Sequence, residues 1–151
     1  MGPPLLPAAV RRQAARERTD LSAPSAPSLI SVLDDDPYVR AAIDNLLASR
    51  GYVVHTFASA EAFLGSTDLN GASCVIADVQ MPVMGGIDLL TQMRTQGSAT
   101  PFIFMTAFPD ENVRARALGA GALCFLGKPF ATSELMRCLE MALSGRGDAP
   151  A

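Results

Sequence analysis

Asp34, Asp35, Asp36, Asp78, Thr106 and Lys128 are the residues of this chain whose types could carry chemistry together. Carboxylates that converge repel one another and raise their own pKa values unless a cation offsets them. An all-oxygen cluster of that kind suits Mg²⁺, with Mn²⁺ as a substitute, better than a softer metal. A carboxylate can also act as a nucleophile in reactions that pass through an aspartyl phosphate, and a hydroxyl and an ammonium are suitable donors to the oxygens of a phosphoryl group in transfer. The set is sufficient for phosphoryl transfer. Lys128, the only lysine in the chain, is followed directly by Pro129. Taken singly, each piece has an ordinary explanation: a solvated helix start for the three aspartates, a strand-end residue for Thr106, a surface charge for Lys128.

What makes coincidence a poor account is the set of elements that must position them. From Leu29 onward, short apolar runs alternate with amphipathic stretches, the pattern of βα units around a parallel sheet buried on both faces. The strands expected are Leu29–Leu33, Tyr52–Thr56, Ser73–Ala77, Phe102–Thr106 and Leu123–Leu126. Val39, Ala42, Ile43, Leu46 and Leu47 keep the spacing of one helical face, with Asp36 placed to cap, Pro37 at the first helical position and Gly51 to close. Weaker helices are expected at Ser59–Leu64, Ile87–Thr95 and Asp110–Leu118, and a clear one at Ser133–Leu143 with Leu135, Leu139 and Ala142 inward. In an open parallel sheet the binding crevice lies outside the carboxyl ends of the strands. The candidate residues sit at four of those five ends.

Composition narrows the class. A chain of 151 residues with 49% apolar and 18% charged residues is the size of one domain, and no uninterrupted apolar stretch suggests a membrane span. Residues 1–28 hold five of the eleven prolines and four arginines against Glu17 and Asp20, a net of +2, and read as a flexible Pro/Ala/Ser-rich extension. The remainder carries −5, too acidic to offer the broad basic face that nucleic acid requires. The domain is expected over 29–144, with a loose tail at 145–151. The N-terminus carries no acylation or export signal, so the chain is expected to be cytoplasmic, and Cys74, Cys124 and Cys138 are read as reduced packing residues. His55, the only histidine, falls in the second strand away from the candidate ends and is read as structural.

LDDDP at 33–37, DVQMPVMGG at 78–86, MTA at 105–107 and KPF at 128–130 closely resemble the receiver domains of two-component response regulators. The resemblance runs in order over roughly Leu29 to Leu143. It implies a flavodoxin-like α/β fold, a doubly wound five-stranded parallel sheet in the order 2-1-3-4-5 with five helices around it. It also implies that Asp78 is the phosphoacceptor, and that Asp34, Asp35, Asp78 and the backbone carbonyl of Gln80 hold Mg²⁺. Lys128 would pair with the acceptor and then a phosphoryl oxygen, Thr106 would hydrogen-bond another, and Pro129 would follow a cis peptide that aims the lysine. Phe125 matches the aromatic that turns inward as the threonine moves, though it lacks a hydroxyl. Gln80 and Phe108 stand where the family flanks the path of attacking water, so both are expected to set the rate of dephosphorylation. The methionines flanking Pro82 and the pair Gly85–Gly86 fit the family's turn after the acceptor.

The function implied is a switch with self-catalysed phosphorylation and autodephosphorylation, not a turnover enzyme. The donor would be a sensor histidine kinase or a phosphotransfer protein. With eight residues after Leu143 the chain is expected to be a stand-alone receiver that signals through protein contacts, to a downstream protein or to a second copy in a phosphorylation-dependent homodimer. The output face would be the helix at 110–118 with the last strand and last helix. One rival is a receiver-like interaction module that is not phosphorylated. A haloacid-dehalogenase-type phosphohydrolase is weaker, because it wants Asp-x-Asp then Thr where this chain has Asp34–Asp36 and Pro37. A dinucleotide-binding domain is set aside because no G-x-G-x-x-G follows the first strand.

Overall fold

The computed structural model describes residues 27–148. Five parallel strands, β1 (Leu29–Leu33), β2 (Val53–Phe57), β3 (Cys74–Asp78), β4 (Phe102–Thr106) and β5 (Cys124–Gly127), form one sheet in the order β2-β1-β3-β4-β5. The helices are α1 (Pro37–Ala48), α2 (Ala60–Leu64), α3 (Asp68–Gly71), α4 (Gly86–Thr95), α5 (Glu111–Gly119) and α6 (Thr132–Asp148). This is the doubly wound α/β fold that the alternating pattern predicts.

Burial follows position in the sheet. Every residue of β3 and β4 is buried, as central strands covered on both faces must be, whereas edge strand β2 leaves Val53, His55 and Thr56 exposed. One face packs Phe63, Leu89, Leu90, Met93, Phe102 and Phe104 in one core, the other Ile30, Leu47, Ile76, Ile103, Met105 and Leu139 in a second. At roughly 1.5–3 kcal/mol for each fully buried large side chain, these two cores are what hold the strand ends in place.

Local signals fix the helix starts. Asp36 caps α1 by accepting from the Tyr38 amide at 2.9 Å, and Asp110 caps α5 by accepting from Val113 at 2.9 Å. Ser59 accepts from the Ala62 amide at 3.0 Å at the start of α2. Gly51 takes φ +93°, so the turn that ends α1 uses a conformation few other residues adopt. Gly86 is required by closeness instead: a Cβ there would lie 2.6 Å from the Asp78 carbonyl oxygen and 2.7 Å from the Phe104 ring.

Three sequence expectations change. The helical backbone of α6 runs to Asp148, past the Gly145 where a loose tail is expected; a glycine costs about 1 kcal/mol inside a helix but does not by itself end one. Residues 149–151, and residues 1–26 of the expected extension, lie outside the described residues. Cys124 and Cys138, read as reduced thiols, are joined as a disulfide between β5 and α6, with Cα atoms 6.3 Å apart. Their pairing arises because Cys138 shares the inward stripe of α6 with Leu135, Leu139 and Ala142 while Cys124 packs against that same core. Cys74 is buried in β3. The third change is α3, which the sequence reading does not contain; it presents Asp68, buried, to Ser31 Oγ at 2.9 Å and His55 Nδ1 at 3.0 Å. That short helix is thereby tied to the β2 edge of the sheet.

Candidate functional site

The sheet order brings together residues that the sequence keeps far apart. β1 and β3 are neighbours, so the loop after Leu33 and the end of β3 place Asp34 beside Asp78, with Leu33 registered against Ala77. β4 and β5 follow on the other side of β3, which brings Thr106 and Lys128 to the same edge. Carboxylate oxygens of Asp34, Asp35 and Asp78 lie within 4.8 Å of one another. Asp34 is completely buried, Asp78 nearly so, and Asp35 is exposed at the rim.

Each buried carboxylate is held at both oxygens. Asp34 accepts from the Asp36 amide at 2.9 Å through Oδ1 and from Lys128 Nζ at 2.9 Å through Oδ2. Asp78 accepts from the Gln80 amide at 3.0 Å through Oδ1 and from Lys128 Nζ at 3.2 Å through Oδ2. Lys128 therefore bridges the two acids, and its own backbone amide donates to the Thr106 carbonyl at 2.7 Å. The Lys128–Pro129 peptide is cis.

The electrostatics of the pair are unequal. Burial alone would lower the Lys128 pKa, but the hydrogen bond it donates to Asp34 and the charges of both acids outweigh it and raise it. Asp78 is also raised, although it contacts an ammonium: burial dominates, and the charge of Asp34 adds to it against the Gln80 amide and Lys128. Burial, reinforced by the charge of Asp34, thus outweighs the ammonium and the amide, so Asp78 shifts in the direction opposite to that of a simple ion pair, with one lysine beside three clustered carboxylates. A second cation fits this arrangement. The donors are hard oxygens only, in a number and spacing suited to a small divalent ion, so the cluster is able to hold a metal.

The remaining predicted residues border this centre. Thr106 is completely buried at the end of β4, and its Oγ1 accepts from the Phe108 amide at 3.1 Å. The Phe108 ring is 72% exposed, and Gln80 is exposed beside Asp78. Phe125 is half-buried on β5, against the core that contains Phe102 and Phe104. Asp36 caps α1 and stands outside the acid cluster. Two features escape the sequence reading. Arg40 Nη1 donates to the Asp34 carbonyl at 2.7 Å, fixing the loop that carries two of the acids; its position one turn into a helix that opens on the acid triplet was the available signal. Val83, in the loop after Asp78, has φ +73° within a tight turn closed by Met84 N donating to the Pro82 carbonyl at 2.9 Å. A β-branched residue in that region is strained, and such strain clusters at functional loops.

The family defined as the response regulator receiver domain matches residues 30–140. The chain belongs to that family. As a receiver domain it is 38% identical over 116 residues to response regulator protein TodT of Pseudomonas putida, covering 77% of this chain and 51% of TodT. It is 39% identical over 114 residues to transcriptional regulatory protein FixJ of Bradyrhizobium diazoefficiens, covering 76% of this chain and 56% of FixJ. The chain thus spans about half the length of the curated relatives it matches. Among solved structures, the receiver superposes on FixJ-N with a TM-score of 0.72 at 29% identity, over 80% of this chain and 96% of that one. It superposes on chemotaxis protein CheY4 of Vibrio cholerae with a TM-score of 0.72 at 28% identity, over 78% of this chain and all of the other. Both the family and the sheet order expected from the motifs hold. Receiver domains of response regulators are phosphorylation switches of two-component signalling, and the acid cluster of this one is compatible with the divalent metal such domains use.

Proposed function

We propose that Asp78 is the phosphoacceptor of this receiver, and that it takes a phosphoryl group from a phosphohistidine on a sensor kinase or phosphotransfer protein. In that step the P–N bond to the donor imidazole breaks, a P–O bond to Asp78 forms, and the imidazole leaves to be protonated by solvent. The reacting form of Asp78 is the carboxylate itself, which attacks without first losing a proton and so needs no general base. The work left to the site is orientation and stabilisation of the spreading charge.

The observation that carries this reading is the ammonium of Lys128 bridging Asp34 and Asp78, at 2.9 and 3.2 Å. From that place Lys128 meets an incoming phosphoryl oxygen without leaving the site. Asp34, Asp35, Asp78 and the backbone carbonyl of Gln80 would hold Mg²⁺, or Mn²⁺ in its place. The bound metal supplies positive charge to the phosphoryl oxygens that the protein alone does not provide. Thr106 offers its hydroxyl to a further oxygen by exchanging the bond from Phe108 N, and Phe125 follows as the conformational readout. Gln80 and Phe108 border the approach of the water that hydrolyses the acyl phosphate, and this self-catalysed hydrolysis resets the switch.

The switching unit is residues 29–144, with 1–28 and 145–151 as appendages. It acts in the cytoplasm, through protein contacts on the face formed by α5, β5 and α6, with a downstream protein or a second phosphorylated copy as the partner. Among the described residues no helix is long and apolar enough to cross a membrane.

The test is intact-mass spectrometry after incubation with Mg²⁺ and acetyl phosphate, beside Asp78→Asn and a chelated control. One phosphoryl adduct in the wild type alone, dependent on the metal, is expected. No adduct under donor excess with rapid sampling would leave a receiver-like interaction module in its place.

A further inference from the structure

The disulfide between Cys124 and Cys138 is not used by the phosphoryl chemistry, yet it encloses part of it. Cys124 opens β5, an edge strand paired with β4 alone, and Cys138 lies on the inward face of α6. The cysteines are 14 positions apart in sequence, and the segment between them includes Phe125, Lys128 and the whole connection from β5 to α6. Closing the bond ties both ends of the segment that delivers the lysine. The two cysteines differ in access: Cys138 is 3% exposed, and Cys124 is partly exposed. In a reducing compartment such a bond is not a permanent staple, and disulfides found there are typically transient or redox-sensing.

We propose that Cys124 and Cys138 form a reversible thiol–disulfide site, oxidised by a low-molecular-weight disulfide and reduced by the corresponding thiol, whose closure restrains the segment carrying Lys128. The Cys124 thiolate, the accessible one, attacks one sulfur of the small disulfide, forming a mixed disulfide and expelling one small thiolate. The Cys138 thiolate then attacks the Cys124 sulfur, closing the internal bond and expelling the second small thiolate. Two protein thiols are oxidised, one small disulfide is reduced to two small thiols, and the two protons lost by the cysteines balance the two thiolates released. Opening is the same path in reverse.

This site is independent of the phosphoacceptor assignment, so its test uses no phosphodonor. The full chain is equilibrated in buffers spanning ratios of reduced to oxidised glutathione, then alkylated under denaturing conditions and mapped by mass. All three cysteines should be alkylated at the reducing end. At the oxidising end only Cys74 should be, with Cys124 and Cys138 linked, and the change should reverse on adding dithiothreitol. Amide hydrogen exchange in the two wild-type states should then show residues 127–134 exchanging at least about threefold more slowly when oxidised. Cys138→Ser should abolish that difference; if the variant does not fold, the two wild-type states decide alone. A link through Cys74, a lasting glutathione adduct on Cys124 without the internal bond, three alkylatable cysteines throughout, or equal exchange in the two states would each overturn the proposal.

Discussion

Replacing Lys128 with methionine tests whether the ammonium is the main counter-charge of the site. Methionine keeps most of the aliphatic stem and removes only the charge. Lys128 is, among the described residues, the only cation in ion-pair contact with Asp34 and Asp78, and its side chain is 18% exposed against 0% and 10% for the acids. Removing one partner of a fully buried ion pair costs about 3–5 kcal/mol, because the other charge is stranded. The open rim at Asp35 admits water, so about 2–3 kcal/mol is the expected loss here. The raised pKa of Lys128 sets the pH window. A group held above its ordinary value contributes stability that is fully present below that value and lost as pH rises through the folded one, so at pH 7 the whole effect is read.

The assay is urea unfolding at pH 7, in chelator and across a Mg²⁺ series. In chelator the midpoint of Lys128→Met should fall by roughly 1–1.5 M at the slopes usual for this size. A ligand present at 100 times its Kd adds about 2.7 kcal/mol, and the variant should gain more from Mg²⁺ than the wild type does, because no ammonium competes for the same oxygens. A variant as stable as the wild type in chelator, or one with an equal or smaller response to the metal, would refute the charge-balance argument.

Three further outcomes follow from the same geometry. Because burial and the charge of Asp34 hold Asp78 above the usual carboxylate range, keeping it ionised costs folding energy above its folded pKa, a cost relieved as pH falls towards the ordinary value near ~4. Asp78→Asn should therefore be more stable than the wild type in chelator at pH 7, by a margin that narrows on acidification; thermal unfolding over that range checks both size and sign. Val83→Gly should stabilise by about 0.5–1 kcal/mol if the positive φ is strained, whereas a net loss in urea unfolding would mean that glycine's greater unfolded-state freedom wins. Phe108→Ala should shorten the lifetime of the phosphorylated form, followed by decay of the adduct after donor removal; an unchanged or longer lifetime rejects a shielding role for that ring.

The two central strands were legible because they are buried on both faces and so read as unbroken apolar runs; Phe102–Thr106 is placed to the residue. A cap was legible where a side chain alone decides the matter, as at Asp36. What the sequence could not reveal depends on partners distant in the chain. The four residues of α3 are too few for any helical period, and Asp68 looks like a surface acid until β1 and β2 bring Ser31 and His55 against it. Cys124 and Cys138 look like two core thiols until α6 turns one towards the other. Arg40 looks like an exposed helix residue, and its reach back to the Asp34 carbonyl is a matter of rotamer.

The acid cluster is costly in itself, and its position explains how the fold bears that cost. Asp34 and Asp78 cannot relax apart, because Asp34 directly follows β1 and Asp78 ends β3, strands buried in both cores and paired on both sides, β1 between β2 and β3, and β3 between β1 and β4. Lys128 reaches the pair from β5, at the sheet's margin, 94 and 50 positions away in sequence. The rigid part of the sheet thus carries the mutually repelling charges, and an edge strand carries the charge that offsets them. A switch needs that division: the acids must stay fixed for the chemistry, while Phe125 lies on, and Lys128 directly after, an edge strand that has one paired neighbour. Any change that stiffens β5, whether a covalent link to α6 or a partner bound over it, is therefore expected to act on the switch without touching the acids.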